Sequence, residues 1–405
     1  MRYDMILKNG RIIDPANGID AIADVAVRNG KIEAVGPGLS DCGKEIDVEG
    51  LLVTPGLIDA HCHCYPFFPP SDDSLPTIHP DAHFFQHGVT TVVDAGTCGW
   101  RDFPLFKEQV IDRSRVRIFA MLNIAASGMV HLDSEQDYKQ FHPGIVAEMA
   151  NAYPETVVAI KTAHYWVGLP YDKDHLPWTS VDSAVDAAER CGLPCMADFQ
   201  PNGPERTYPD LILKHLRPGD IHTHIYAQQF PILDEQGQVN EFLFQARERG
   251  IRFDLGHGAG SFWFRNAVPA LRQGFSPDTL STDLYLDNVS GAAIGLDHVL
   301  SKYLSMGMPL EQAIQKATVA PAQMLALPGV GTLSPGTCAD IALFQLEQGC
   351  FRYADSGNAA LSGNLRLRCA GTVRAGEWVY NPDAFGMPEW SEAPHEYWVA
   401  PGVIK

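Results

Sequence analysis

The chain has 405 residues, of which 45% are hydrophobic and 20% are charged, and its formal net charge is −19. This length can bury a large core and exceeds the usual size of one domain, so we expect two domains or a barrel with an appended module. The acidic balance argues against nucleic-acid binding, which needs clustered Lys and Arg. No apolar run is long enough to span a bilayer and no signal peptide is recognisable, so we expect a cytoplasmic protein without a membrane partner.

The predicted secondary-structure pattern changes twice along the chain. Residues 1–55 have short alternating strands, and Asn9-Gly10 and Asn29-Gly30 predict tight hairpins there. Residues 56–330 contain short apolar runs separated by amphipathic stretches, which is typical of repeated βα units. Residues 331–385 return to hairpins that we expect to complete the N-terminal module. Residues 386–405 form an irregular tail that either packs on a neighbouring subunit or is solvated.

The central region contains as many apolar runs as a (β/α)8 barrel has strands. The predicted strands are 57–63, 89–94, 116–123, 156–161, 193–198, 220–224, 251–257 and 279–283. The fold class predicted is therefore α/β, with a TIM-like barrel, and a doubly wound open sheet is the alternative. The nine cysteines are an odd number scattered along the chain, which favours reduced thiols over a disulfide framework.

Two histidines, His61 and His63, end the first predicted strand. Alternate residues of a strand share a face, so both imidazoles would point into the barrel mouth, where catalytic groups of this fold gather. Neutral imidazole is a favoured zinc ligand. Cys62 and Cys64 would point the other way and pack against helices. The His-x-His pattern alone is weak, because two structural histidines are also common.

The surrounding residues make this pattern specific. The run Val53–His63 resembles the opening motif shared by dihydroorotases, hydantoinases, urease and related deacetylases of the amidohydrolase superfamily, and residues 6–10 and 331–341 match as well. The resemblance implies a (β/α)8 barrel and a small β-sandwich built from both chain ends. It also implies one or two divalent metal ions, with zinc expected, the buried one bound by His61 and His63.

Three further strand ends match the superfamily pattern. Lys161 corresponds to a lysine carboxylated by carbon dioxide that bridges two metals, although an ordinary strand-end lysine is the alternative. His224 corresponds to a metal ligand. The neighbouring His222 could be a supporting group, a core residue or a substitute ligand. Asp283 corresponds to the aspartate that binds the buried metal and acts as general base, and a helix-capping aspartate is the alternative.

Strand five departs from this pattern, because Asp198 stands where a histidine is usual. Aspartate can bind zinc or manganese through oxygen, so the site holds either two metals or, if this ligand is lost, one. On strand seven, His257 in a Gly-rich turn would orient the substrate or polarise its carbonyl, or else only bond within the turn. Tyr285 and Asn288 are candidate substrate-binding residues.

The resemblance thus implies hydrolysis of an amide or ester bond in a small acyl compound by a metal-activated hydroxide, as in deacetylases and aminoacylases. The alternatives are a cyclic-amide hydrolase of the dihydroorotase or hydantoinase kind and a catalytically silent scaffold like the dihydropyrimidinase-related proteins. Five of the six expected ligand positions carry the usual residue, which favours an enzyme. The expected partners are a small-molecule substrate and further copies of this chain in a homo-oligomer.

Overall fold

The computed structural model describes residues 2–66 and 74–393. Within these ranges, none of the helices combines the length and the apolar character that a bilayer crossing requires. The first eight residues of the predicted tail, 386–393, follow the last strand in turns and coil, and residues 394–405 lie outside the described part.

The N-terminal strands form part of a sheet built from both chain ends. They are β1 (Met5–Asp14), β2 (Ile19–Arg28), β3 (Lys31–Gly36), β4 (Glu45–Asp47) and β5 (Leu52–Pro55). Asn29-Gly30 joins β2 to β3 with φ values of 51° and 72°, as the hairpin prediction requires. The second predicted hairpin is wrong: Asn9-Gly10 lies inside β1 at a bulge. Gly10 is needed there for close packing, since a Cβ would lie 2.5 Å from a methyl carbon of Val53.

Seven parallel strands follow and form a curled sheet in chain order. They are β6 (Leu57–Cys62), β7 (Val89–Gly99), β8 (Arg117–Asn123), β9 (Val157–His164), β10 (Cys195–Phe199), β11 (Ile221–His222) and β12 (Arg252–Phe253). These strands overlap the first seven predicted runs. Their apolar character follows from the covering of both faces of a parallel sheet.

The segment predicted as the eighth strand, 279–283, lies between the two edges of this sheet. Leu255 N donates to the carbonyl of Thr279 (3.1 Å) next to β12, and Asp283 N donates to the carbonyl of His61 (2.7 Å) on β6. The segment is not a regular strand, because Asp283 has a left-handed φ of 50° that interrupts extended backbone. The sheet therefore has seven strands rather than eight, with both edges hydrogen-bonded to this segment.

Helices cover the outer face of the parallel sheet. They are α1 (Pro80–His83), α2 (Phe103–Phe106), α3 (Pro143–Ala152), α4 (Thr179–Cys191), α5 (Tyr208–Asp210), α6 (Glu241–Glu248), α7 (Phe264–Arg272), α8 (Leu296–Ser305), α9 (Leu310–Gln315) and α10 (Val319–Met324). In α4 the buried side chains Val181, Ala184 and Ala188 recur at helical spacing, so one face packs on the sheet. Gly192 ends α4 in the left-handed conformation.

Two apolar layers hold the parallel sheet. The inner layer fills the space enclosed by the strands and includes Ile58, Val93, Met121 and Met196. The outer layer lies between strands and helices and includes the two cysteines beside the paired histidines, Cys62 and Cys64, as predicted. The centre of the sheet is therefore a packed core, and a group of polar side chains gathers at the carboxyl ends of the strands, where catalytic groups of this fold lie.

The C-terminal strands complete the first sheet. They are β13 (Ile341–Ala354), β14 (Ala360–Arg374) and β15 (Glu377–Tyr380), and the sheet order is β15-β14-β13-β5-β1-β2-β3 with β4 beside β1. Asp340 connects the two sheets, because it accepts a hydrogen bond from Arg117 of β8 (2.6 Å) and another from Arg374 of β14 (3.2 Å). Its carbonyl also accepts a bond from Gly56 N (2.8 Å), just before β6. The start of the parallel sheet is thereby anchored to the chain-end sheet.

Candidate metal centre

A cavity of about 460 Å³ opens at the carboxyl ends of the parallel strands. All six predicted metal ligands line it, although they come from five separate segments of the chain. They are His61, His63, Lys161, Asp198, His224 and Asp283. Each is buried in the described structure. The sequence-predicted ligands are thus brought together at one place.

The imidazole of His61 is held in one tautomer by a buried network. Its Nδ1 lies 3.0 Å from Thr223 Oγ1 and 3.2 Å from Asp254 Oδ2. The Thr223 hydroxyl donates its own proton to Asp254 (2.7 Å), so both oxygens are acceptors toward the ring. His61 Nδ1 therefore carries the proton, and the lone pair of Nε2 faces the cavity.

His63 and His224 are likewise held in one tautomer by a hydrogen bond from Nδ1. His63 Nδ1 lies 2.7 Å from Thr97 Oγ1, and Thr97 donates its hydroxyl proton to Asp94 (2.8 Å). His224 Nδ1 lies 2.6 Å from the carbonyl oxygen of Gly256, which can only accept. In both rings Nδ1 is the donor, so three Nε2 lone pairs converge on one cavity, an arrangement that suits a metal ion.

The ligand atoms are close enough to share an ion. Donor atoms of His61, His224 and Asp283 all lie within 4.8 Å of one another. Asp283 Oδ1 is 3.0 Å from His63 Nε2 and 3.4 Å from His61 Nε2. Burial alone would raise the pKa of Asp283, but the neighbouring imidazoles of His61, His224 and His63 outweigh burial and lower it to about 2. The carboxylate is therefore ionised and faces nitrogen donors.

Asp198 and His224 form a second pair in the same cavity. Asp198 Oδ2 is 3.3 Å from His224 Nε2, and its Oδ1 accepts a hydrogen bond from the hydroxyl of Tyr165 (2.6 Å). Burial lowers the pKa of His224, but the charge of Asp198 outweighs burial and raises it to about 9. A positive charge is therefore required between these two groups, and either a proton or a metal ion supplies it.

The buried Lys161 has an unusual environment. Its side chain is only 1% exposed, and its Nζ lies 3.4 Å from His61 Nε2. Among the described residues, no carboxylate oxygen lies within salt-bridge distance of Nζ. The stem is packed against Gly96, where a Cβ would lie 2.5 Å from Lys161 Cβ. The stem is therefore closely packed. The terminal nitrogen makes no direct salt bridge in that part of the chain, although, against the effect of burial, its charge acts to lower the pKa of Asp198 and Glu135.

Two of the ligands have strained backbones. His224 has a φ of 60° and Asp283 a φ of 50°, a region that residues other than glycine rarely adopt. Asn288 stabilises the second of these, because its amide donates to the carbonyl of Asp283 (2.5 Å). Strain held by specific partners is common at functional sites.

The structure does not bring His257 to the cavity. Its Nε2 accepts a hydrogen bond from Lys302 Nζ (2.7 Å), and its Nδ1 donates to the carbonyl of Gly258 (2.9 Å). Burial and the charge of Lys302 lower its pKa well below the ordinary value. Both ring nitrogens are used by protein groups, so the arrangement fits the alternative of a histidine bonded within the turn.

Of the other predicted residues, one lines the cavity and two are buried away from it. Tyr285 lines the cavity, but Asn288 is buried behind it and supports the backbone. His222 is a core residue, with its ring packed against Tyr208 and Phe230, and burial lowers its pKa to about 4.

Two acidic residues were missed by the sequence reasoning. Asp254 accepts hydrogen bonds from four side chains, namely those of His61, Thr223, Thr279 and Ser281. Glu135 lines the cavity from a short helical turn after β8, and burial raises its pKa to about 7. Asp254 has a weak signal in the sequence, since it is an acidic residue at the end of an apolar strand. Glu135 has none, because loop residues follow no period.

Comparisons with known proteins show which family and which structures this chain resembles. Residues 264–379 match the model of a family described as "Amidohydrolase family". A protein of Enterococcus faecalis named "Deacetylase" is 30% identical over 384 residues, which cover 93% of this chain and 99% of that protein. The chain is also similar to the solved structure of an adenine deaminase (28% identity, TM-score 0.83, 94% of this chain and 100% of the other). A dihydroorotase structure gives 27% identity, a TM-score of 0.76 and coverage of 93% and 99%.

Proposed function

We propose that this chain, which belongs to the amidohydrolase family, hydrolyses an amide or ester bond of a small acyl compound at the cavity described above. The observation that carries the proposal is the convergence of three fixed Nε2 lone pairs and two ionised carboxylates in one buried cavity. The deacetylase name of the relative that spans nearly the whole chain supports the acyl bond as the target.

The donor set fits divalent metal ions. Imidazole nitrogen and carboxylate oxygen are the ligands that zinc takes in hydrolases, and hydrogen bonds on the far side of each ring are the usual support for such ligands. We assign His61, His63 and Asp283 to the more buried ion and Asp198 and His224 to the more exposed one. When bound, such ions supply the positive charge that activates water and polarises a carbonyl group.

Lys161 would complete the set as a carbamate that bridges the two ions. An ammonium group beside divalent ions is repelled, whereas a carbamate is an anion with two oxygen ligands. The lack of a direct salt bridge to Lys161 among the described residues supports this proposal, because a buried ammonium group that touches no carboxylate is poorly compensated for its loss of hydration. The packing of its stem against Gly96 holds the terminal nitrogen beside His61.

Asp283 would move the proton during the reaction. Its carboxylate is ionised, and its backbone is held by His61 on one side and Asn288 on the other. A carboxylate in this position can accept a proton from the attacking water and pass it to the leaving group. We also propose that residues 279–283, which include Asp283, act as the eighth strand of a (β/α)8 barrel and that the chain-end sheet corresponds to the family's β-sandwich.

A silent scaffold is disfavoured by the completeness of the ligand set. For a cyclic-amide hydrolase of the dihydroorotase kind, the substrate carries a carboxylate, and among the described residues that line the cavity no arginine is present to bind one. We therefore favour hydrolysis of an open-chain acyl compound.

The test is metal analysis of the purified protein followed by a screen of N-acetyl and O-acetyl compounds and cyclic imides. We expect two ions per chain, loss of hydrolysis after chelation and recovery with a divalent ion. The variant Asp198→Ala should retain about one ion. Full activity in metal-free protein would disprove the proposal, and a single ion in the native protein would disprove the two-metal site.

A further inference from the structure

The cavity holds more negative charge than the metal ligands account for. Asp133, Glu135, Asp198 and Asp283 all line it, whereas Lys161 is the one lysine or arginine among the described lining residues. In the proposed metal centre, Asp198, Asp283 and the Lys161 carbamate face the ions. Asp133 and Glu135 then remain as acidic side chains without a metal, on the wall formed by the turn after β8.

Glu135 is held in a fixed position. Its side chain is 1% exposed, and its Oε1 accepts a hydrogen bond from Asn123 Nδ2 (2.7 Å). Asn123 is anchored in turn, because it donates to the carbonyl of Gly96 (2.9 Å) and accepts from Ala125 N (2.9 Å). The carboxylate is therefore oriented by a buried side chain with no freedom to turn away.

The second carboxylate oxygen of Glu135 is unused. Oε2 is buried and has no hydrogen-bond partner among the described residues. A buried carboxylate oxygen without a donor is unfavourable, so an oxygen held in this way beside a cavity is suited to a donor that arrives with a ligand. Asp133, which is exposed at the same wall, adds a second negative charge that attracts cations to the opening.

We propose, on the basis of the hydrolase function above, that Glu135 binds an ammonium group of the substrate. The substrate class is an acyl compound that also carries a free amine, such as a mono-acylated diamine, rather than an N-acyl amino acid with a free carboxylate. An ammonium group would donate to Glu135 Oε2 in a charge-assisted hydrogen bond. The ring of Tyr285, on the lining of the same cavity, offers an aromatic surface that is compatible with an alkylammonium chain.

The test uses the zinc-reconstituted protein and three N-acetyl compounds of equal chain length that end in an ammonium, a hydroxyl or a carboxylate group. The wild type should hydrolyse the ammonium compound with a kcat/KM roughly tenfold or more above that of the carboxylate compound, as expected for one charge-assisted hydrogen bond. Glu135→Gln keeps the shape and the bond from Asn123 but removes the charge. It should remove this preference while leaving the hydroxyl compound within about twofold of the wild type.

The control is Glu148→Gln, the same substitution at an exposed position of α3 outside the cavity, which should leave all three rates unchanged. An equal loss for all three compounds in Glu135→Gln, or a loss of bound metal, would overturn the proposal and assign Glu135 to the metal site. A wild-type preference for the carboxylate compound would overturn it as well.

Calorimetry with the free diamine separates this proposal from the proposed function. Binding by the wild type that is lost in Glu135→Gln supports the ammonium site, even if none of the acyl compounds is hydrolysed. Absence of hydrolysis would then contradict the proposed function alone. Absence of diamine binding by the wild type would contradict the ammonium site alone.

Discussion

Asp254 gives the sharpest test of how the site is built, because it does not line the cavity itself but contacts His61, which does. We predict that Asp254→Asn weakens metal binding while the chain still folds. The side chain is fully buried and accepts hydrogen bonds from His61 and Thr223 on one oxygen and from Thr279 and Ser281 on the other. Asparagine can keep all four contacts if the two hydroxyl groups beside its amide nitrogen rotate to become acceptors. The substitution therefore mainly removes the negative charge of the Asp254 side chain.

The size of the effect follows from the bond between Asp254 and His61, whose atoms are 3.2 Å apart. A hydrogen bond to a charged group contributes about 1.5–3 kcal/mol and a neutral one about 0.5–1.5 kcal/mol. The difference of about 1–2 kcal/mol corresponds to roughly 5- to 30-fold in affinity. This range overlaps the ~10- to 100-fold typical of groups that orient metal ligands. We therefore expect metal affinity to fall by roughly tenfold.

The assay is competition for the metal against a chelator of known affinity, with metal content measured at each chelator concentration. Asp220→Asn serves as the control, because Asp220 is equally buried but bonds Arg217 and Cys195 N at the far end of β11. This control should lower stability without changing metal affinity. Equal metal affinity in wild type and Asp254→Asn would refute the assignment of His61 as a ligand oriented by Asp254.

Two other predictions concern Asp283, the proposed proton carrier, and Lys302, the lysine that donates to His257. Asp283→Asn should fold and lose turnover by roughly 10²- to 10⁴-fold, because an amide cannot accept the proton; near-normal turnover in steady-state assays would move that role to another group. Lys302→Met should lower the free energy of unfolding by about 2–3 kcal/mol, since His257 Nε2 and the carbonyls of Ala292 and Ala354 would lose their donor. A change below about 1 kcal/mol in denaturant unfolding would contradict the importance of these bonds.

The gathering of the proposed metal ligands in one cavity could be predicted because strand ends carry a regular pattern. His61, Lys161 and Asp198 end apolar runs, and the parallel arrangement of those runs brings their ends to one side of the sheet. The sequence also located the departure at strand five. Asp198 occupies the expected place and faces His224, although nothing in the pattern indicated its bond with Tyr165.

The sequence contained a physical signal that His257 does not face the cavity. Side chains alternate along a strand, and Phe253 and Leu255 are apolar residues that pack in the outer layer. His257 is at an odd-numbered position like these two residues, so alternation predicts that it faces outward with them. Asp254 and Gly256 are at even-numbered positions and face inward. The Gly-rich turn suggested a role in the site for His257, whereas the alternation of side chains favoured Asp254.

Glu135 and the interrupted eighth strand could not be predicted from periodicity. Glu135 depends on the path of a loop, and its partner Asn123 is on a different element. The left-handed φ of Asp283 depends on contacts with His61 and Asn288, which are distant or follow it in sequence. Tertiary contacts decide such positions, so local sequence patterns do not reveal them.

The chain-end sheet has a consequence for synthesis on the ribosome. β5 leads directly into β6 and the paired histidines, yet its neighbour β13 begins at residue 341. During translation, β5 must wait with an open edge until nearly the whole chain has been made, and open edges are prone to pair with other chains. A protein released before β13 would contain every proposed metal ligand while leaving that edge exposed. Premature termination near residue 330 should therefore produce aggregates rather than a smaller enzyme, and co-expression of the missing strands should reduce them.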